Sequence, residues 1–133
     1  MSEIVCPCQS GKTYSLCCQP FHLAKAKPET AEQLMRSRYS AFALRLVDFL
    51  VTTTHPNSRS PRLKRDLEAS IDETTWIGLE ILKTSGGGSG DKTGKVEFVA
   101  KYRFGKDPKV LELHEHSRFR RFKGNWLYLD GKG

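Results

Sequence analysis

Long hydrophobic runs are missing from this sequence. No stretch approaches the roughly 18 apolar residues that a membrane helix needs. The first ten residues, MSEIVCPCQS, offer neither the basic start nor the apolar middle of a secretory signal. Cysteine is absent from nearly all of the chain: the four present in 133 residues fall between positions 6 and 18. Distributed disulfides therefore cannot hold the fold, and the expected compartment is a reducing cytoplasm, where structural disulfides are rare. Acidic residues are the scarcer charge, 15 against 22 Lys and Arg, for a formal +7. Four thiolates around a divalent cation would lower that charge by two and leave the chain basic. Such an excess favours encounter with nucleic acid, ribosomes or acidic proteins, and equally serves as plain solubility charge. A chain this long hides roughly two-thirds of the surface that its unfolded form exposes, so one ordinary domain with a real core is expected.

The cysteines sit in CPCQSGKTYSLCC, from Cys6 to Cys18. Joining Cys6 to Cys8, or Cys17 to Cys18, closes very small strained rings. Crossed disulfides stay open as an alternative but require an oxidising compartment, and free thiols or an iron–sulfur cluster are further alternatives. One tetrahedral metal site explains the spacing better. Zinc takes four thiolates at about 2.3 Å, and closed four-cysteine sites are structural rather than catalytic. Cys6 and Cys8 come from one turn, and eight residues loop back to deliver Cys17 and Cys18. Ser10 can cap a short helix near Lys12. Gly11 can take backbone angles closed to other residues, and Lys12 can offset part of the negative charge. The stretch resembles the SEC-C zinc-binding motif, Cys-x-Cys, eight residues, then Cys followed by Cys or His. Ser10, Gly11, Lys12 and Tyr14 match its usual loop, whereas Gln9 stands where glycine is common. The expected partner of such a zinc knob is a protein or the ribosome.

Beyond Pro28, Thr30 and Gln33 make a capping box. Met35, Tyr39, Phe42, Leu46 and Leu50 recur at helical steps, with a pause expected near Arg45. His55-Pro56 ends this run, because the residue before proline avoids helical angles. Ser60 as cap and Pro61 in the first turn start another helix, with Leu63, Leu67 and Ile71 on one face. From Trp76 the period changes to that of strands. Val96, Phe98, Ala100, Tyr102 and Phe104 alternate with mostly polar neighbours, as do Leu111, Leu113, Glu115, Ser117 and Phe119; NWLYLDG supplies a short final strand. The glycine-rich TSGGGSGDKTG between the first two strands holds Lys92-Thr93. It lacks the second glycine of a phosphate-binding loop and precedes a strand rather than a helix, so it reads as a flexible hairpin connector.

Helices first and a four-stranded antiparallel meander after them make an α+β domain. The order resembles the nuclear-transport-factor-2-like, or cystatin-like, fold, in which a curved sheet wraps a long helix around a cone-shaped pocket. With the cysteine loop in front, the chain is similar to the YchJ-like family of bacterial proteins, through LMRSRYSAF, THP, Trp76, EHSRF and WLYLDG. The resemblance implies a SEC-C module over residues 1–24 and the α+β domain over 25–133. It implies a fold more than an activity.

Two further residue sets stand out. Glu115 and Ser117 share a strand face with apolar residues and, with His55, Tyr128 and Asp130, form a candidate pocket set for a small ligand or for acid–base chemistry. The plainer reading is a buried pair between Glu115 and Arg36 or Arg38. Lys12, Arg118, Arg120, Arg121 and Lys123 make a candidate basic contact surface for the ribosome, a protein or RNA. His114 and His116 lie on the same outer face, where paired histidines two apart on a strand can bind a metal but more often are simply exposed. Phe122 and Trp126 read as core. The leading expectation is a zinc-binding interaction protein, more readily a non-enzyme than an enzyme. Removing the zinc is expected to disorder residues 6–18 and leave the rest folded.

Overall fold

Thr30 sits in extended backbone, and its hydroxyl accepts from the Gln33 amide at 3.1 Å. Gln33 answers one residue further out than a strict capping box requires: its Oε1 accepts from the Glu29 amide at 2.7 Å. This cap opens α2 (Ala31–Leu44), the long helix of a computed structural model that describes residues 4–132. Upstream, among the described residues, lie a 3₁₀ turn (Tyr14–Leu16) and the one-turn α1 (Gln19–His22). Arg45 ends α2 in the left-handed conformation, φ 62°, where its amide reaches back to Ala41 and Phe42. The pause near Arg45 is thus a true break, and α3 (Val47–Thr52) starts afresh after Leu46, whose backbone is not helical.

The helix α4 (Leu63–Ser70) begins later than its sequence signals suggest. Ser60 accepts from the Arg62 amide, but the first helical residue is Leu63. Ala41, Leu50 and Ile71 form a small buried cluster joining these helices, packed by Phe42, Leu46 and Leu67.

Four strands follow: β1 (Thr74–Gly86), β2 (Thr93–Phe104), β3 (Leu111–Phe122) and β4 (Asn125–Lys132), antiparallel in the order β1-β2-β3-β4. The register sets Val96 beside Ser117, Phe98 beside Glu115 and Ala100 beside Leu113, so these residues share the inner face. A register shift opposite Arg118/Phe119 leaves Leu129 unpaired, a bulge that bends β4 against β3. The free edge of β4 is covered: His55 donates to the Tyr128 carbonyl and Tyr128 to the Thr53 carbonyl, both at 2.8 Å. The α2 helix lies on the inner face against β1, β2 and β4. No helix among the described residues is long and apolar enough to cross a membrane.

Two expectations need correction. The glycine connector is tied down. Its Gly87 carbonyl accepts from Ala31 at 2.9 Å, and Arg121 donates to the carbonyls of Ser89 at 2.8 Å and Asp91 at 2.6 Å. Phe122 is more than a third exposed, whereas Trp126 is buried as expected. Phe122 lies at the β3–β4 turn, where its ring covers His55 edge-on.

Candidate metal centre and inner cavity

The cysteine loop is closed by short backbone bonds. Cys6 donates to the Lys12 carbonyl at 2.9 Å, and Gln9 donates to Cys6 at 3.1 Å. Gln9 and Gly11 both have positive φ, 63° and 88°. The first is a position where glycine is the unstrained choice. Gln9 instead uses its side chain, donating to the Ile77 carbonyl on β1 at 3.2 Å.

All four sulfurs lie within 4.8 Å of one another. Cys8 and Cys17 are 3.6 Å apart, and Cys17 and Cys18 are 3.9 Å apart. A tetrahedron with 2.3 Å metal–sulfur bonds has edges of about 3.8 Å. The four thiols therefore fit one ion. Ser10 Oγ lies 3.1 Å from the Cys17 sulfur, and Ser40 Oγ on α2 lies 3.4 Å from both Cys6 and Cys18. Without a cation the thiols cannot ionise together. Hydrogen bonds from Cys18 and Cys6 push the Cys8 thiol down, while the bond to Cys6 pushes Cys18 up and burial pushes Cys17 up.

The cation beside the loop is not Lys12, which is exposed, but Arg36 of α2. Its guanidinium donates to the Cys8 carbonyl at 2.9 Å and to Glu32 at 3.0 Å. His22 accepts at Nδ1 from the Tyr14 hydroxyl at 2.6 Å and donates from Nε2 to the Ser37 carbonyl at 2.8 Å. That assignment follows from the carbonyl, which can only accept. Nothing in the sequence singled out His22, Arg36 or Ser40 as supports of the loop.

A cavity of about 190 Å³ opens between α2 and the sheet. Tyr39, Phe42, Trp76, Phe98 and Phe119 wall it, and Arg38, Glu115, Ser117 and Tyr128 supply its polar groups. Ser117 donates to Glu115 at 2.5 Å. Burial, then the Glu115 charge, pushes the Tyr128 hydroxyl up to about 12.

The expected Glu115–arginine pair is absent. Arg36 points to the cysteine loop. Arg38 stacks 4.5 Å over the Tyr128 ring and donates to the Leu50 carbonyl at 3.0 Å and the Thr53 hydroxyl at 2.7 Å. These neutral acceptors at the end of α3 satisfy the guanidinium in place of a carboxylate. Burial lowers it to about 10. Gly131 permits the carboxylate's position, because a Cβ there would collide with Glu115 and the Tyr128 hydroxyl.

Of the five candidate pocket residues, the cavity gathers Glu115, Ser117 and Tyr128. His55 is buried elsewhere and accepts from the Asn57 amide at 3.1 Å. Asp130 lies on the outer face, where its two carboxylate oxygens accept from Nε and Nη2 of Arg118. The basic set divides likewise. Arg118 is engaged by Asp130, Arg121 holds the connector and stacks on Trp126, and Lys123 sits over Phe122. Arg120 and Lys12 remain solvent-facing.

Comparisons with known proteins agree with this architecture. The profile of the YchJ middle NTF2-like domain matches residues 30–131, and that of the SEC-C motif matches residues 5–20. The chain is 45% identical over 127 residues to the UPF0225 protein SCO1677 of Streptomyces coelicolor, covering 96% of this chain and 94% of that one. It is similar to the solution structure of RPA3114, a SEC-C motif containing protein from Rhodopseudomonas palustris: TM-score 0.85, 35% identity, 99% of this chain and 98% of that one. An LEH-like epoxide hydrolase of M. tuberculosis shares the fold alone, with TM-score 0.55 and 15% identity over 79% of this chain and 81% of that one.

Proposed function

We infer, for a chain that belongs to the YchJ family of UPF0225 proteins with an N-terminal SEC-C motif, that Cys6, Cys8, Cys17 and Cys18 hold one structural zinc ion and that the loop so fixed docks another protein. The observation that carries the docking reading is the distribution of exposed apolar side chains. Ile4, Val5, Leu16 and Leu23 are 60%, 67%, 75% and 55% exposed, all within or beside the cysteine loop. Apolar groups left in water around a rigid element mark an interaction surface. Lys12, Lys25 and Lys27 lie in the same segment and are exposed, so the favoured partner surface is apolar with an acidic rim.

Four thiolates suit zinc better than hard cations, which take oxygen ligands. Metal analysis of reduced protein is expected to give about one zinc per chain, and less than that after excess zinc is supplied would overturn the assignment. Docking is tested by affinity capture and ribosome co-sedimentation with wild type, Leu16→Glu and Arg120→Glu. The reading expects one set of captured proteins to vanish with Leu16→Glu, which keeps every ligand, and to survive Arg120→Glu. Loss only in Arg120→Glu, with association falling steeply as salt rises, would favour the ribosome or RNA instead.

A second reading, a small-ligand binder, rests on the inner cavity. Its polar end holds one cation, Arg38, and one carboxylate, Glu115, among aromatic walls. A small, overall neutral molecule with an aromatic or apolar body suits that balance. Thermal shift with a library of such molecules, repeated on Glu115→Gln, tests it.

A further inference from the structure

The outer face of the sheet carries a second group of metal-ligating side chains, far in sequence from the cysteines. His114 and His116 are two apart on β3 and therefore project to the same side. Across the ladder Glu97 pairs directly with His116, and Val99 with His114. Glu97 thus stands beside both imidazoles. His114 Nε2 lies 2.6 Å from Glu97 Oε2, and His116 Nε2 lies 3.6 Å from the same oxygen. The two rings are 5.2 Å apart between centroids, and the three ligand atoms all fall within 4.8 Å of one another.

We propose that Glu97, His114 and His116 form a second, exchangeable divalent-metal site on the outer face of the sheet. A simple ion pair needs one histidine, whereas here two Nε2 atoms converge on one carboxylate oxygen. Metal bonds of about 2.1 Å place neighbouring nitrogen and oxygen ligands about 3.0–3.4 Å apart, between the two distances observed. Small rotations of exposed side chains close the difference. Both histidines are about half exposed, 49% and 55%, so an ion can reach them. Two imidazoles and a carboxylate select zinc, nickel or cobalt over magnesium or calcium.

Three protein ligands leave at least one coordination position open, in contrast to the closed cysteine centre. A surface hollow bordered by Glu97 and His116 is also lined by Lys83, Lys95, Arg118 and Lys132. Those cations oppose a bare metal ion, which keeps the site weak and exchangeable. They favour a small anion, such as a carboxylate or phosphate, as the ligand that completes it.

The test uses tag-free, reduced protein with its cysteines intact, titrated with zinc alone beyond the first equivalent. Calorimetry reads the binding, and nitrogen-15 spectra of the imidazoles read the ligands. One further zinc is expected to bind. It should shift the Nε2 resonances of His114 and His116 and leave those of His22 and His55, the other two of the four histidines, in place. The double variant His114→Ala/His116→Ala should lose this binding. Glu97→Gln should weaken it about tenfold or more, the scale on which even an outer partner matters to a metal site. Thermal unfolding without added zinc should stay unchanged in the double histidine variant, as for other exposed substitutions. No second equivalent, unmoved His114 and His116 resonances, or undiminished binding in either variant would overturn the proposal.

Discussion

Buried Arg38 and half-buried Tyr128 meet on the wall of the inner cavity, with Glu115 beside them. The guanidinium lies over the phenol ring, and burial works on both groups in the same sense, against charge. Tyr39, on the same cavity wall, is also pushed up to about 12, chiefly by burial. A tyrosine whose folded pKa is raised favours the folded state fully below its unfolded value near 10 and loses that contribution as pH climbs towards 12. Arg38, lowered to about 10, works in the opposite direction over the same range. Two raised tyrosines outweigh it, so stability is expected to fall between pH 10 and 12, with tyrosinate forming as the chain unfolds. Denaturant midpoints at pH 8, 10 and 11 check this, and Tyr39→Phe with Tyr128→Phe should flatten the decline. Glu115→Gln removes the negative charge next to Tyr128. Its titration should move down from about 12 while staying above 10, because burial remains. An unchanged Tyr128 titration in that variant would separate the two side chains.

At the scale of elements, the joint between α2 and the first hairpin is made by groups with no room to spare. Gly87 has φ 79°, and a Cβ there would lie 2.7 Å from the Ala31 side chain, at the first residue of the helix. Gly87→Ala combines left-handed strain with overlap, and a loss of about 1–3 kcal/mol is expected. Thr30→Ala, which removes the cap one residue earlier, should cost about 1 kcal/mol. Both are measured by urea unfolding with an unchanged slope. These joints also show what was legible in the chain. The Thr30 cap, the stripe from Met35 to Leu50 and the alternation along β2 and β3 are local patterns, and the elements follow them. Arg45 gave only a pause, because its left-handed turn is set by how α3 packs, not by its own side chain. The four cysteines were legible as a cluster because their spacing alone closes a site. Arg38 was not, since its acceptors are the end of α3, and no sequence pattern places the Leu50 carbonyl beside it. His55 and Asp130 failed as pocket residues for the same reason: the covered β4 edge and the outer sheet face claimed them.

For the whole molecule, the decisive fact is where the cysteine loop ends and the domain begins. Cys6, Cys8 and Cys18 are buried in one cluster with Leu34, Met35, Tyr39, Val96, Phe98 and Trp126. Ser40 touches two of the sulfurs, Arg36 binds the Cys8 carbonyl, His22 ties the loop to the Ser37 carbonyl, and Gln9 reaches β1. The boundary at residue 24 divides two sequence motifs but a single core. An independent knob would melt alone on loss of its zinc. Losing a loop built into the core opens the buried cluster that Leu34, Met35 and Tyr39 of α2 share with Val96, Phe98 and Trp126 of the sheet. If the four cysteines hold an ion as proposed, its binding is folding energy for the entire chain. Chelation under reducing conditions is expected to lower the melting temperature of the strand signal together with that of the loop, in one transition. Far-ultraviolet circular dichroism and the near-ultraviolet signal of Trp76 and Trp126 should agree with each other on the midpoint, and that shared midpoint should fall when chelator is added. Cys17→Ser, which removes the most exposed ligand, should reproduce the shift. Two separated transitions, with the sheet melting at its original temperature after the loop is lost, would restore the modular arrangement.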